Sequence, residues 1–131
     1  FVNYARLPEI FSGADILLLA NDFDSKSKSY LQYSMPTKAS EYMISGTPVL
    51  VYTSDLAAVS KFFTEHRCGY CISKNSEEEI INGIKFLIDN EEYRRTISNN
   101  AVNTSIHKFD AMKVRNEFQN LLSGLAASPK N

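Results

Sequence analysis

One segment of the sequence gathers residues able to hold an anion and a diol: Ser34-Met35-Pro36-Thr37-Lys38-Ala39-Ser40-Glu41-Tyr42-Met43. Pro36 suits the entry of a helix, where the missing N–H is not needed, and Gly46 stops that helix after Ala39, Tyr42 and Met43 have formed one face. The free N–H groups of Thr37 and Lys38 then sit at the positive end of the helix dipole, a setting suited to a phosphate, and Lys38 adds a full charge. Glu41 lies one turn further on. Its carboxylate can accept a bidentate pair of hydrogen bonds from a ribose diol. The same residues also read as an ordinary helix start, with Lys38 and Glu41 forming an i,i+3 surface ion pair.

Other chemistry has less support. Cys68 and Cys71 form a CxxC, but a redox pair opens a helix that lowers the thiol pKa, whereas Gly69-Tyr70-Cys71-Ile72-Ser73 reads as a strand after a turn. Positions three apart in a strand point to opposite faces. A zinc site needs two further ligands, and His66 and His107 are the only histidines. The pair is therefore expected to be small apolar residues in a reducing cytoplasm. There is no GxGxxG, no Walker loop and no GxSxG elbow, which removes the main sequence support for a dehydrogenase, a P-loop NTPase or a hydrolase.

The elements around the segment alternate. Phe1 to Tyr4 is short and β-prone, Pro8 opens a short helix ended by Gly13, and Ile16 to Ala20 is an apolar run expected to be a central parallel strand covered on both faces. Asn21 to Tyr33 is polar and is expected to be a long loop. Pro48 leads into the strand Val49 to Thr53, Ser54 or Asp55 caps a helix carrying Leu56, Val59, Phe62 and Phe63, and Tyr70 to Ser73 is another strand. Ser76-Glu77-Glu78-Glu79 has capping-box spacing, followed by Ile80, Ile81, Ile84, Leu87 and Ile88 at helical period. Glu91 to His107 reads as a polar helix with a thin stripe of Tyr93, Ile97, Ala101 and Val102. A last amphipathic helix is expected from Asp110 to Leu122, then a frayed tail over 123–131. This pattern predicts an α/β fold, a Rossmann-like doubly wound parallel sheet of about four strands. In such a sheet ligands lie outside the carboxyl ends of the strands, where the helix start at Pro36 falls.

The chain has 131 residues, of which 44% are apolar and 22% charged, enough for one globular domain. Its formal net charge of -1 gives no basic field for nucleic acid or an anionic membrane, so any anion must be gripped locally. No membrane span or signal peptide is visible. The sequence opens on Phe1-Val2-Asn3-Tyr4 without Met, which fits a segment of a longer protein.

The order of elements resembles the C-terminal nucleotide-sugar-binding half of GT-B glycosyltransferases, specifically the group 1 (GT4-like) family. The residues that carry it are Ala14-Asp15 with the Leu run, Pro36-Thr37-Lys38 with Glu41-Tyr42-Met43, and Ser45-Gly46-Thr47-Pro48-Val49-Leu50-Val51. The likeness continues through Gly69, the Ser76 to Asp89 helix and Glu92 to Phe109. It implies that Glu41, the second Glu of the family's Glu-x7-Glu motif, binds the ribose hydroxyls, and that the backbone N–H groups of Thr37 and Lys38 serve the diphosphate. The first Glu, which contacts the donor sugar, falls at Tyr33, and the motif's Phe-Gly pair falls on Met35 and Pro36; here the sequence departs from the pattern. Tyr33 itself, Asp22 or Asp24 are the candidates to replace that Glu. The connection at Tyr4 and Ala5 corresponds to the family's base-reading backbone.

The resemblance further implies transfer of a sugar from a nucleotide diphosphate sugar to an acceptor hydroxyl, with retention, in glycan or cell-surface polysaccharide synthesis, with no cofactor and no bound metal. The acceptor, a glycan or lipid-linked sugar, would be met by an N-terminal domain absent from this chain, and two further strands would precede Phe1. The expected location is the cytoplasm, with a peripheral place at the inner face of a membrane. The competing class is a Rossmann-like binding or interaction domain without activity, which the missing first Glu permits. A response-regulator-like receiver needs a phosphorylatable Asp ending a strand, whereas Asp15 begins one.

Overall fold

The apolar runs after Asp15 and Pro48 form strands β1 (Leu17–Ala20) and β2 (Val49–Tyr52), and Tyr70–Ile72 forms β3. In the computed structural model, which describes residues 2–127, these make one parallel sheet in the order β1-β2-β3, with Leu17 opposite Val49 and Leu50 opposite Tyr70. Helix α1 (Leu7–Ser12) precedes β1; α2 (Ser25–Leu31) and α3 (Thr37–Ile44) lie between β1 and β2; α4 (Ala58–Glu65) joins β2 to β3. Then follow α5 (Glu77–Asp89), α6 (Glu91–Lys108) and α7 (Ala111–Ala127).

Alternate residues of β2 feed two apolar layers, as the pleat requires. Val49 and Val51 pack with Met43 of α3 and with Val59 and Phe63 of α4, while Leu50 packs on the other face with Leu87 of α5 and Ile97 of α6. Helices on both faces make the sheet doubly wound. The Ser76 cap is formed, its Oγ accepting the Glu79 N–H at 3.4 Å. α6 lies across the amino ends of the strands: Asn100 Nδ2 donates to the Arg67 carbonyl at 3.0 Å, and Val102 lies beside Gly46. At the carboxyl ends, Phe23 packs on the Tyr52 ring at 4.8 Å and the Tyr52 hydroxyl donates to Asn75 Oδ1 at 2.8 Å. No helix among the described residues is long and apolar enough to cross a membrane.

Several elements differ from the sequence expectation. Three strands are found among the described residues; Tyr4–Arg6 is a 3-10 turn, because the Asn3 side chain accepts the Ala5 N–H at 3.1 Å and curls the backbone, and Phe1 lies outside the described residues. β1, expected to be central, is an edge strand here. Leu18 is accordingly 54% exposed and floors an open apolar groove of about 660 Å³ that α5 borders with Ile80, Ile84 and Ile88. The polar stretch expected to be a loop contains α2: Asp24 Oδ1 accepts the Ser27 N–H at 2.5 Å and starts the helix, which is anchored by a buried Leu31. α4 begins after Ala57 and not at Ser54 or Asp55, because Ser54 Oγ accepts the Leu56 N–H and its carbonyl the Ala57 N–H, making a separate turn that leaves Leu56 exposed. α7 runs to Ala127, past Leu122, since Leu125, Ala126 and Ala127 are residue types of high helix propensity. The last four positions expected to fray, 128–131, lie outside the described residues.

The turn into β3 is tight. A Cβ on Gly69 would stand 2.6 Å from Phe63 Cδ1 and 2.9 Å from the Val49 carbonyl oxygen, which belongs to the central strand and cannot retreat. Gly69→Ala is therefore expected to destabilise the fold by about 1–3 kcal/mol, read as a lower urea midpoint at unchanged slope.

Candidate functional site

The start of α3 is built for an unsatisfied positive end. Pro36, at φ -62° and ψ 134°, holds the extended N-cap conformation and offers no side-chain cap. The first backbone bond of the helix is from the Ala39 N–H to the Pro36 carbonyl at 3.0 Å, so the N–H groups of Thr37 and Lys38 have no partner among the described residues. Both side chains are exposed. The helix is fixed from below by Ala39 and Met43, each fully buried in the layer against β2. Ser40 turns its hydroxyl back to the Thr37 carbonyl at 3.1 Å, and Ser105 of α6 donates to the Ser40 carbonyl at 3.5 Å.

Glu41 does not pair with Lys38. The ion pairs among the described residues are Arg6–Glu9, Lys74–Glu79, Arg95–Glu91 and Lys113–Glu117, and all are surface pairs. Instead Glu41 Oε1 accepts a hydrogen bond from the Tyr4 hydroxyl at 3.1 Å, across 37 positions of chain. That bond, with the negative charge of Glu41, raises the Tyr4 phenol above its ordinary value. Beside the pair lies a cavity of about 280 Å³ with apolar walls from Leu7, Pro8, Phe11 and Ile44. The structure thus joins two residues that the sequence singled out separately. Ala5, the other base-side candidate, has its N–H taken by Asn3.

The donor-sugar side is differently placed. Tyr33 follows α2, donates its N–H to the Tyr30 carbonyl at 3.2 Å, and leaves its side chain 85% exposed. Met35 is half-buried and packs against the α3–α4 core layer. Asp22 and Asp24 serve the backbone: Asp22 Oδ1 accepts the Asp24 N–H, and Asp24 accepts the Ser27 N–H, a bond that holds the Asp24 carboxyl below the usual range.

Two polar residues escaped the sequence reading. Asn21 and Thr53 follow the last residues of β1 and β2, which are in register at Ala20 and Tyr52, so they occupy neighbouring strand ends at the carboxyl edge of the sheet. Asn21 Nδ2 and Thr53 Oγ1 are both buried without a hydrogen-bond partner among the described residues, and Thr53 is 0% exposed. The available signal was a polar residue immediately after each apolar run. Burial, which only tertiary packing supplies, makes it meaningful.

The cysteines differ from the strand expectation as well. Cys68 precedes β3, in the turn where Arg67 takes a positive φ, and it belongs to the same core layer that Cys71 packs against; the two thiols share one face. Burial pushes the Cys68 thiol up to about 12 and raises Cys71 too. Among the described residues no group of three or more His, Cys, Asp or Glu side chains is placed to hold a metal ion.

With this geometry, comparison with known proteins is specific. Residues 1–104 match the family model for glycosyl transferases group 1, and the chain belongs to that family. The fold is similar to that of the C-terminal domain of a glycosyl transferase group 1 family protein, LpcC, from Francisella tularensis, at 18% identity and a TM-score of 0.65. That match covers 85% of this chain and 51% of the other, so the chain spans about half the length of the structure it resembles. No curated protein matches the chain at a significant level.

Two measurements test these placements. Thr53→Val replaces a partnerless buried hydroxyl with a methyl and is expected to leave stability unchanged or raise it by up to about 1 kcal/mol; a clear loss would reveal a partner for the hydroxyl. The raised Cys68 pKa lies above the unfolded value near 8.5, so its stabilising contribution is complete below about pH 8.5 and is lost as pH rises toward 12. Urea unfolding between pH 7 and 10 is expected to show this decline, and Cys68→Ala to flatten it.

Proposed function

We propose that this chain is the donor-binding part of a glycosyltransferase that moves a sugar from a nucleotide diphosphate sugar to an acceptor hydroxyl. The observation that carries the reading is the open start of α3, where two free N–H groups and Lys38 stand one helical turn from the carboxylate of Glu41. Thr37 and Lys38 hold the diphosphate, and Glu41 takes the ribose hydroxyls. As the bond from the anomeric carbon to the diphosphate breaks, negative charge grows on the leaving group. The helix dipole and the Lys38 ammonium stabilise that charge without reorganising, which is electrostatic catalysis by this chain's own groups and calls for no metal.

The family supports retention at the anomeric carbon and a place in glycan or polysaccharide synthesis, with a glycan or lipid-linked sugar as acceptor in the cytoplasm or at the inner membrane face. The exposed groove over Leu18 supports a sheet continued by further strands against β1 in the longer protein. A binding module without transfer activity is the reading that Tyr33 favours, since it places a phenol where the family motif has a carboxylate. Sugar transfer by the intact protein excludes it.

Glu41→Ala in the intact protein is expected to weaken UDP- or GDP-sugar binding about tenfold, and Lys38→Ala to weaken it by a similar factor that shrinks at high salt. Calorimetric titration checks both, and unchanged affinity in Glu41→Ala sinks the ribose assignment. The 131-residue chain alone is expected to bind nucleotide weakly and to transfer no sugar, so measurable turnover by it would overturn the assignment of missing parts.

A further inference from the structure

Glu41 is the one carboxylate proposed to receive the nucleoside, and one of its two oxygens is already in use. Tyr4 Oη donates to Oε1 at 3.1 Å. A phenol hydroxyl offers a carboxylate the same thing as a ribose hydroxyl, a single O–H donor of similar reach. Bidentate capture of a cis-diol needs both carboxylate oxygens facing the ligand; the phenol fills one of the two lone-pair sites of Oε1 and its ring borders the cavity beside Glu41, so a diol entering from that side meets the phenol as a competitor.

The surroundings of Tyr4 allow it to yield. Its side chain is 74% exposed, and the residue belongs to a three-residue 3-10 turn secured by Asn3 through the Ala5 backbone and not through the ring. Rotating the phenol away from Glu41 therefore breaks one exposed hydrogen bond and leaves the turn intact. The ring also borders the apolar cavity formed by Leu7, Pro8, Phe11 and Ile44, which opens beside the same carboxylate. Cavity and competitor stand at one entrance.

Resting on the reading that Glu41 binds ribose, we propose that Tyr4 is a built-in competitor for the donor nucleotide, its hydroxyl holding Glu41 until a ribose diol displaces it. The displacement exchanges one hydrogen bond for two. A nucleotide with no sugar hydroxyls to offer gains nothing by it and leaves Tyr4 in place. Tyr4 thereby acts as a specificity-determining residue, favouring ligands that present a cis-diol and setting their affinity below what Glu41 alone would give.

The test is titration of the intact protein and its Tyr4→Phe, Glu41→Ala and double variants with UDP, GDP and their 2′,3′-dideoxy analogues. Tyr4→Phe keeps the exposed ring and is expected to fold with an unchanged Tm. Its expected effect is about two- to tenfold tighter binding of the ribonucleotide that the wild type prefers, the range of one net hydrogen bond, with no change for the dideoxy analogue and no effect when Glu41 is already Ala. Tyr4→Phe that leaves the ribonucleotide unchanged or binds it more weakly, while Glu41→Ala still weakens it, overturns the competition and keeps the ribose assignment. Equal tightening of ribo- and dideoxynucleotide overturns it as well, by showing a steric effect. If Glu41→Ala and removal of the sugar hydroxyls change nothing, or if neither nucleotide binds, the underlying ribose reading fails and the competitor role with it.

Discussion

Everything in this molecule is referenced to the burial of β2. Val49, Leu50 and Val51 are each 1% exposed or less, and no other strand among those described is covered so completely. Because the pleat sends successive side chains to opposite faces, one short strand anchors both apolar layers, α3 and α4 with Ala101 of α6 on one side and α5 with Ile97 of α6 on the other. The two connections are parallel crossovers, which forces every strand to deliver its carboxyl end to the same edge of the sheet. The polar chemistry can then gather at that edge.

The same packing sets the orientation of α3. Ala39 and Met43 are locked against the β2 layer, so the first turn of the helix stands toward the carboxyl edge of the sheet, while α6 crosses the amino ends. Pro36 contributes by ending the preceding extended segment without supplying a cap, which leaves donors exposed that an ordinary Ser or Asp cap would have used. The groups offered to an anion are thus backbone groups held by a buried face. Tyr4 and Glu41 meet because the turn after Asn3 and the second turn of α3 are brought side by side, although they are far apart in the chain.

The elements with strong periodic signals were legible. The α5 helix announced itself through Ser76 and its Ile and Leu spacing, and the two apolar runs became parallel strands as composition indicated. α2 was not legible, because its helix rests on one buried Leu31 and an Asp24 cap and carries no repeating stripe. The turn at Ser54 shifted the start of α4 for a similar reason: a side chain suited to capping can close a turn just as well, and only the path of the following residues decides which. The Cys pair was misjudged as two faces because Cys68 lies in the turn and not in the strand.

By itself the sequence determined the family likeness, the alternating architecture and the identity of the groups at the head of α3, since these follow from residue type and short-range spacing. What only the tertiary structure decided is which of those groups find partners. Glu41 turned from the adjacent Lys38 to the distant Tyr4, Asp22 and Asp24 were spent on backbone donors, and the side-chain atoms Asn21 Nδ2 and Thr53 Oγ1 became buried without a partner among the described residues at neighbouring strand ends. The physical reason is that hydrogen bonding and desolvation depend on separations of a few ångströms between segments, and those separations are fixed by how the helices close over β2, which no local pattern encodes.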